Sequence, residues 1–420
     1  MQKTSVAHSS TRAMAADGSP PKGPTPPGAL RVNTDAPTVE EDVLDARLLR
    51  VVAVTWNMNN RRFPEDVTPM LAPLFDGRTT PGDAESACDV FVVGVQEAPG
   101  KKEMEGFSDA VVHALGGFSK FAHLDAVTLD PGGWIQLHLF MRKKLVKYVS
   151  DFKVDAVSCG IGKVYGNKGA VGVSFSYAGA SMCFLNAHLA AHLEKVKQRN
   201  ADYHRIVKTM FAPKGRKSRA LYDKENAQVA RETADADGWG GADDLTSERI
   251  YPTAPSQPGT PIDPTRPTPA TPKMFGGLFK KKGWSAADGF DLCVFMGDLN
   301  YRVEGNRTAV DKVMELGMWE VMHANDQLAV ERNAGRAFAG WCEAELTFPP
   351  TYKLNRGSAT EYDTSAKQRI PSWTDRIMWI SSARGRLSCP HGADVYASVP
   401  GVRTSDHLPV LARIEVAIGE

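Results

Sequence analysis

The chain has no apolar run of about 18 residues, and its first residues lack a signal-peptide core, so neither a membrane-spanning helix nor a secretory leader is expected. An excess of one charge is missing too: 50 Lys and Arg stand against 49 Asp and Glu, for a formal net charge of +1. That balance excludes a generally basic coat for a nucleic-acid backbone and leaves room only for a local basic pocket. Cysteine is scarce, and Cys88, Cys159, Cys183, Cys293, Cys342 and Cys389 stand singly with no C-x-x-C pair, which excludes the common zinc and redox motifs. Several of these thiols lie in apolar segments, a usage that suits a reducing, cytoplasmic compartment. Internal repeats are absent.

What is present is enough apolar residue, 42% of 420, to bury one large core. Two stretches stand outside it. Residues 1–45 are rich in Pro, Gly, Ser and Thr and are expected to form a disordered arm. Residues 213–287 carry a basic patch, an acidic Gly-rich section and a Pro-dense run, and are expected to be a disordered insertion within a single domain spanning 46–420. Near the end of that insertion Phe275, Leu278 and Phe279 adjoin Lys280, Lys281 and Lys282, a chemistry suited to peripheral contact with an anionic membrane. Thr260, Thr268 and Thr271 each precede Pro, so phosphorylation there would tune that contact.

Apolar strands that end abruptly in polar residues dominate the rest. Leu292 to Met296 lacks alternation, as a strand covered on both faces does, and runs through Gly297 into Asp298 and Asn300. On an extended chain these two side chains, two residues apart, would face one ligand together. The segment from Leu48 stops at Asn57, Asp89 onward ends at Gln96 and Glu97, and Ser181 to Asn186 runs into His188. Asp375 precedes the strand Arg376 to Ile380, and Asp406 and His407 precede the last strand. Residues from Trp134 alternate like a strand with one wetter face, and Gly166 and Gly169 bracket Asn167 and Lys168 in a turn suited to an anion. Helices are expected over about Lys102 to Leu115, from His192 to about Met210, and over about Thr308 to Glu331. His188 and His192 have H-x-x-x-H spacing, but Leu189, Ala190 and Ala191 supply no metalloprotease glutamate, so His192 is expected to be a structural helix residue.

Ligand sites in α/β sheets gather at strand ends, and this set suits phosphate-ester hydrolysis with Mg²⁺, which takes a few carboxylate or amide oxygens and keeps several waters. Glu97 and Asn57 would hold the cation, and Asp298 would orient and deprotonate water. Asn300 and His188 would hold phosphoryl oxygens, and His407, paired with Asp375, would stabilise the charged transition state.

The segments T-W-N-M-N, V-G-V-Q-E, G-N-K-G-A-V, L-N-A-H-L-A-A-H, G-D-L-N-Y-R, F-P-P-T-Y-K, R-I-P-S-W-T-D-R-I and S-D-H-L-P-V, in that order from Leu48 to Val416, resemble the inositol polyphosphate 5-phosphatases. Within their superfamily of endonucleases, exonucleases and phosphatases, P-S-W-T-D-R-I and N-A-H-L-A-A-H are the family-specific segments. The resemblance implies a DNase I-like, four-layered α/β sandwich of two central, mostly antiparallel mixed sheets flanked by helices. It implies Mg²⁺-dependent removal of the 5-phosphate from phosphoinositides or soluble inositol polyphosphates. Glu97 and Asn57 would be metal ligands, and His188, Asp298, Asn300, Asp375, Asp406 and His407 the catalytic group. Tyr352, Lys353, Lys367 and Arg369, with Lys168 nearby, would recognise the neighbouring 4-phosphate. Asn60 stands where Gly is usual and Ala187 where Ser is common; neither change removes a functional side chain. A nuclease of the same superfamily would need a broad basic face, and an inactive phosphoinositide-binding module would lack part of the catalytic set, so neither a nucleic-acid partner nor inactivity is expected.

Overall fold

In the computed structural model, residues 48–75, 84–129, 132–160, 167–213, 284–381, 387–389 and 392–419 are described. The expected arm, nearly all of the expected insertion, and with it the Phe-Lys segment and the Thr-Pro sites, lie outside them.

The strands are β1 (Leu48–Asn57), β2 (Val90–Gln96), β3 (Phe121–Thr128), β4 (Ile135–Arg142), β5 (Val149–Ser158), β6 (Gly169–Tyr177), β7 (Ala180–His188), β8 (Leu292–Asp298), β9 (Asp375–Ser381), β10 (Leu387–Ser388), β11 (Ala393–Ser398) and β12 (Val410–Ile418). One sheet runs β10-β12-β1-β2-β4-β3, with β11 also paired to β12, and the other runs β5-β6-β7-β8-β9. Each sheet is antiparallel except for one pair, β1 with β2 in the first and β7 with β8 in the second. The main helices are α1 (Phe107–Ala114), α2 (Val196–Thr209), α3 (Arg307–Glu315), α4 (Trp319–Ala324) and α5 (Gln327–Asn333).

Strand side chains alternate between faces, so each central strand serves two cores. On β1, Leu49, Val51 and Ala53 pack between the sheets with Leu292, Val294 and Met296 of β8. Val52, Val54 and Trp56 face outward beneath Phe107 and Val111 of α1. Cys293 and Phe295 of β8 face outward beneath Tyr203 and Ile206 of α2. The result is the expected four-layered sandwich, and it explains why Leu292 to Met296 shows no alternation: both faces are dry. A buried polar tie also joins the sheets. Asn186 of β7 donates to the carbonyls of Val95 (2.9 Å) and Gln136 (2.7 Å) and accepts from Gln96 Nε2 (2.6 Å).

Four local expectations are corrected. The polar face of β4 is not wet, because Gln136 and His138 are buried and His138 Nδ1 bonds Ser108 Oγ of α1 at 3.0 Å. The helix expected from Lys102 starts only at Phe107, after turns, and the one expected over Thr308 to Glu331 is three short helices, α3 to α5. The fourth concerns the end of the insertion. Residues from Trp284 onward are described and belong to the fold, with Trp284 Nε1 donating to Met210 O at 2.9 Å and its ring edge-on to Phe290.

Candidate active site

The parallel pairs put the carboxyl ends of β1, β2, β7 and β8 at one edge of the sandwich, and their antiparallel neighbours start there. His188 is registered against Asp298 across β7 and β8, and Asp298 against Asp375 across β8 and β9. Thr55 is registered against Val410, so Asp406 and His407, just before β12, lie at the same edge as Asn57. Topology therefore assembles residues from distant parts of the chain. Gly297 makes the close approach at its centre possible: its φ is +149°, and a Cβ there would fall 1.9 Å from the carbonyl oxygen of Ala187.

Asp298 is the hub. Its Oδ2 accepts from Asn57 Nδ2 at 3.0 Å and lies 3.2 Å from His188 Nε2. Its Oδ1 accepts from the backbone N of Asn300 at 3.1 Å. The extended geometry expected for Asp298 and Asn300 is thus replaced by a turn, with Asn300 at φ +58°. One carboxylate oxygen serves the turn and the other the site. Burial would raise the Asp298 pKa, but the hydrogen bond from His188 and the charges of His407 and Lys168 outweigh it and hold the carboxylate well below its usual range.

His407 is buried beside Asp375, with Nδ1 2.9 Å from Asp375 Oδ2. Burial alone would depress its pKa, yet the charge and hydrogen bond of Asp375, with Asp298 and Asp406 behind them, push it up to about 10, so it is an imidazolium at neutral pH. Thr351 and Thr374 hydroxyls donate to Asp375 Oδ2 at 2.7 and 2.9 Å and fix its rotamer. His188 differs: burial, then the adjacent Lys168 ammonium, lowers its pKa despite Asp298. Asp406 accepts from Lys353 Nζ, and this pairing and His407 overcome burial to lower its pKa. Asn300 donates to Leu189 O at 3.2 Å and accepts from Arg302 through its side-chain oxygen.

Glu97 is the exception to burial, with 41% of its side chain exposed and its carboxylate 3.8 Å from His188 Nε2. Among the described residues no group of three or more His, Cys, Asp or Glu is arranged to hold a metal ion. A half-exposed carboxylate and an amide oxygen, which also accepts from Asn59 N at 2.9 Å, at the ends of the paired strands β1 and β2 still fit Mg²⁺, which needs one or two protein carboxylates and retains water. Glu97 and Asn57 have that chemistry.

Beside this cluster a cavity of about 350 Å³ is lined by His192, Arg302, Arg307, Tyr352, Lys367 and Arg369 among others. Of the residues expected to bind substrate, Tyr352, Lys367 and Arg369 line it. Lys353 stands at Asp406 and Lys168 at His188, nearer the reacting centre. The Tyr352 ring meets His407 at a tilt, 4.5 Å between ring centres, and the Arg302 guanidinium lies over the Tyr352 ring at 4.2 Å from its centre, which joins the cavity to the Asp298 and His407 cluster. His192 is corrected: α2 begins only at Val196, and His192 lies ahead of it in an exposed turn at φ +79°, on the cavity wall. Arg302, Thr351 and Thr374 each sit in a strand-end segment (Y-R after G-D-L-N, T-Y-K, W-T-D), the signal the sequence carries for them, whereas Arg307 opens α3 and has no such signal.

The chain matches the model of the endonuclease/exonuclease/phosphatase family 2 over residues 54–413. It is 29% identical over 425 residues to the type I inositol polyphosphate 5-phosphatase 13 of Arabidopsis thaliana, covering 94% of this chain and 33% of that protein. It is 28% identical over 378 residues to the human (Homo sapiens) phosphatidylinositol polyphosphate 5-phosphatase type IV, covering 89% and 47%. The chain thus spans less than half the length of these relatives. Among solved structures it resembles the inositol polyphosphate 5-phosphatase domain of a synaptojanin, in complex with inositol (1,4)-bisphosphate and a calcium ion (TM-score 0.59, 22% identity, 90% of each chain). It also resembles the Cimex nitrophorin ferrous NO complex (TM-score 0.55, 19% identity, 89% of this chain and 99% of that one). These structural likenesses show the fold alone.

Proposed function

From the premise that the chain belongs to the endonuclease/exonuclease/phosphatase family 2, as an inositol polyphosphate 5-phosphatase homologue, we propose that it is a Mg²⁺-dependent phosphomonoesterase removing the 5-phosphate from phosphoinositides or soluble inositol polyphosphates. The observation that carries this reading is the convergence at one sheet edge of buried Asp298, held by Asn57 and His188, and buried His407, held by Asp375, beside a cavity lined by cations. A general base, a fixed positive charge and a multi-cation wall are what hydrolysis of one phosphate on a polyphosphorylated ring requires.

In this mechanism Asp298 accepts a proton from the water that attacks phosphorus, the bond from phosphorus to the ring oxygen breaks, and that oxygen leaves as the alcohol with a proton taken up from solvent water. Asn57 and His188 hold the Asp298 oxygen that points into the site. His407, kept protonated by Asp375, faces the charge that develops on the phosphoryl group. Asn300, turned by Arg302, and Lys168 hold phosphoryl oxygens. Mg²⁺ bound by Glu97 and Asn57 would neutralise phosphoryl charge. Tyr352, Lys367 and Arg369, with Arg302 and His192, would receive the 4-phosphate. The reading extends to a cytoplasmic setting with peripheral membrane contact, in keeping with the unpaired buried thiols of Cys183 and Cys293.

Purified full-length protein should release phosphate from phosphatidylinositol 4,5-bisphosphate or inositol 1,4,5-trisphosphate in Mg²⁺ and not in EDTA. Asp298→Asn should lower kcat by about a thousandfold, the middle of the range for loss of a general base. Unchanged release by the variant would sink the assignment.

A further inference from the structure

The cavity wall that carries His192 is held from behind by a residue that touches neither the cavity nor the reacting centre. Arg199 of α2 is fully buried, and no carboxylate among the described residues pairs with it. Its guanidinium instead donates to three carbonyls of one turn: Nη1 to Ala190 O (3.1 Å) and His192 O (2.6 Å), and Nη2 to Leu193 O (3.1 Å). From the same helix, Asp202 accepts from Ala190 N at 3.1 Å. Gln327, at the start of α5, completes the clamp. Its Oε1 accepts from Arg199 Nη2 (2.5 Å) and from the backbone N of Arg302 (3.0 Å), and its Nε2 donates to Leu193 O (3.0 Å).

A non-glycine residue at φ +79° persists only where its surroundings over-determine it. Here the determinant is a charge-assisted fork that binds carbonyls on both sides of that residue. A buried guanidinium without a carboxylate is a costly way to stabilise a fold, and hydrophobic residues of like volume would do that more cheaply. Its geometry is specific to the turn instead, and through Gln327 the same clamp reaches Arg302, which turns Asn300 and covers Tyr352.

We propose that Arg199 is a positioning residue for ring recognition: acting with Gln327, it fixes the Ala190–Leu193 turn and Arg302 as two walls of the cation-lined cavity, and so sets how tightly a phosphorylated ring is held. The ligand is taken from the 5-phosphatase reading above, on which this inference rests. A merely structural arginine would change stability and leave the substrate terms alone.

The test compares wild type, Arg199→Lys, Arg199→Gln, His192→Ala and the Arg199→Gln/His192→Ala double variant as full-length proteins in Mg²⁺. Turnover is measured on inositol 1,4,5-trisphosphate. Binding is measured by titration with inositol 1,4-bisphosphate, which has no 5-phosphate to lose and so reads the cavity whether or not the protein turns over. Arg199→Gln should raise KM and the bisphosphate Kd by about tenfold, the size expected for losing charge-assisted bonds to a turn, with kcat within about twofold. Arg199→Lys should recover part of that affinity, and in the double variant the two effects should not add, because both act on one wall. Should Arg199→Gln fail to fold, Gln327→Met, which cuts the same clamp at its other end, should show the same KM shift. Wild-type KM and Kd in a folded variant, a fall confined to kcat, additive effects in the double variant, or no bisphosphate binding by the wild type would each overturn the proposal. Absence of turnover alongside a tenfold Kd shift would instead remove the 5-phosphatase reading and leave the clamp standing.

Discussion

His407 and Asp375 show how a single contact sets a protonation state. The imidazole is buried, which by itself would favour the neutral form, and only the carboxylate beside its Nδ1 reverses the sign. Because the folded-state pKa, about 10, lies above the ordinary 6.5, the folded protein holds this proton more firmly than the unfolded chain. The pair's stabilisation is therefore complete below pH 6.5 and lost as the pH rises towards 10. Asp375→Asn removes the leading cause of the rise. The alkaline limb of the activity profile should then move to lower pH, and the melting temperature should lose its dependence on pH between neutrality and 10. A pH-activity series on both proteins checks this, and an alkaline limb that stays in place would show that another group sets it. At the same scale, Glu97 differs from the other strand-end carboxylates of the described site in being left half-exposed, whereas Asp298 is already committed to Asn57, His188 and Asn300.

Elements matter here through their ends. β7 and β8 run in parallel with His188 opposite Asp298, and one residue earlier Ala187 lies opposite Gly297. The absence of a side chain at 297 lets the two strands keep that register up to the last residue. Gly297→Ala should cost more than about 3 kcal/mol, since it combines a disfavoured φ with a collision against backbone that cannot move aside. A urea midpoint measures the loss, and activity should fall with it because the His188–Asp298 spacing depends on the same register. A variant with wild-type stability would mean that the strands part easily at this point. The Asn186 tie acts one turn of the pleat earlier on β7. It anchors the inter-sheet spacing close to the edge where Asn57 and Asp298, from the two sheets, meet.

For the whole molecule, the question is how a long stretch of sequence enters directly before β8, the most constrained strand. The described flanks answer it. Met210 and Trp284 bond to each other, Phe211 and Phe290 pack edge-on at 5.6 Å, and the pair sits on the outer core under α2. The entry and exit of residues 214–283 are therefore joined before β8 begins. Replacing those residues with a short Gly-Ser linker should leave the melting temperature within about 3 °C, since loop length changes stability only slowly. It should also leave turnover of a soluble inositol phosphate unchanged. Calorimetry and a phosphate-release assay on the shortened protein test both, and a collapse of either would give the insertion a part in the fold.

The sequence by itself determined the strand-end constellation. Each of Asn57, Glu97, His188, Asp298, Asp375, Asp406 and His407 follows or precedes an apolar run, and buried strands that stop in polar residues leave that mark in any chain. It also determined the layered architecture, because strands dry on both faces demand cover on both. Tertiary structure alone decided the rest. The polar face of β4 reads as wet, yet α1 covers it; His192 reads as helical by spacing, yet Arg199 and Gln327 hold it in a turn on the cavity wall. The roles of Arg302 and Thr351 likewise depend on partners distant in the chain, Gln327 and Asp375. Periodicity records which face of a segment is apolar. It does not record what packs against a polar face or which side chain reaches an open carbonyl, and those long-range bonds give this site its protonation states and its shape.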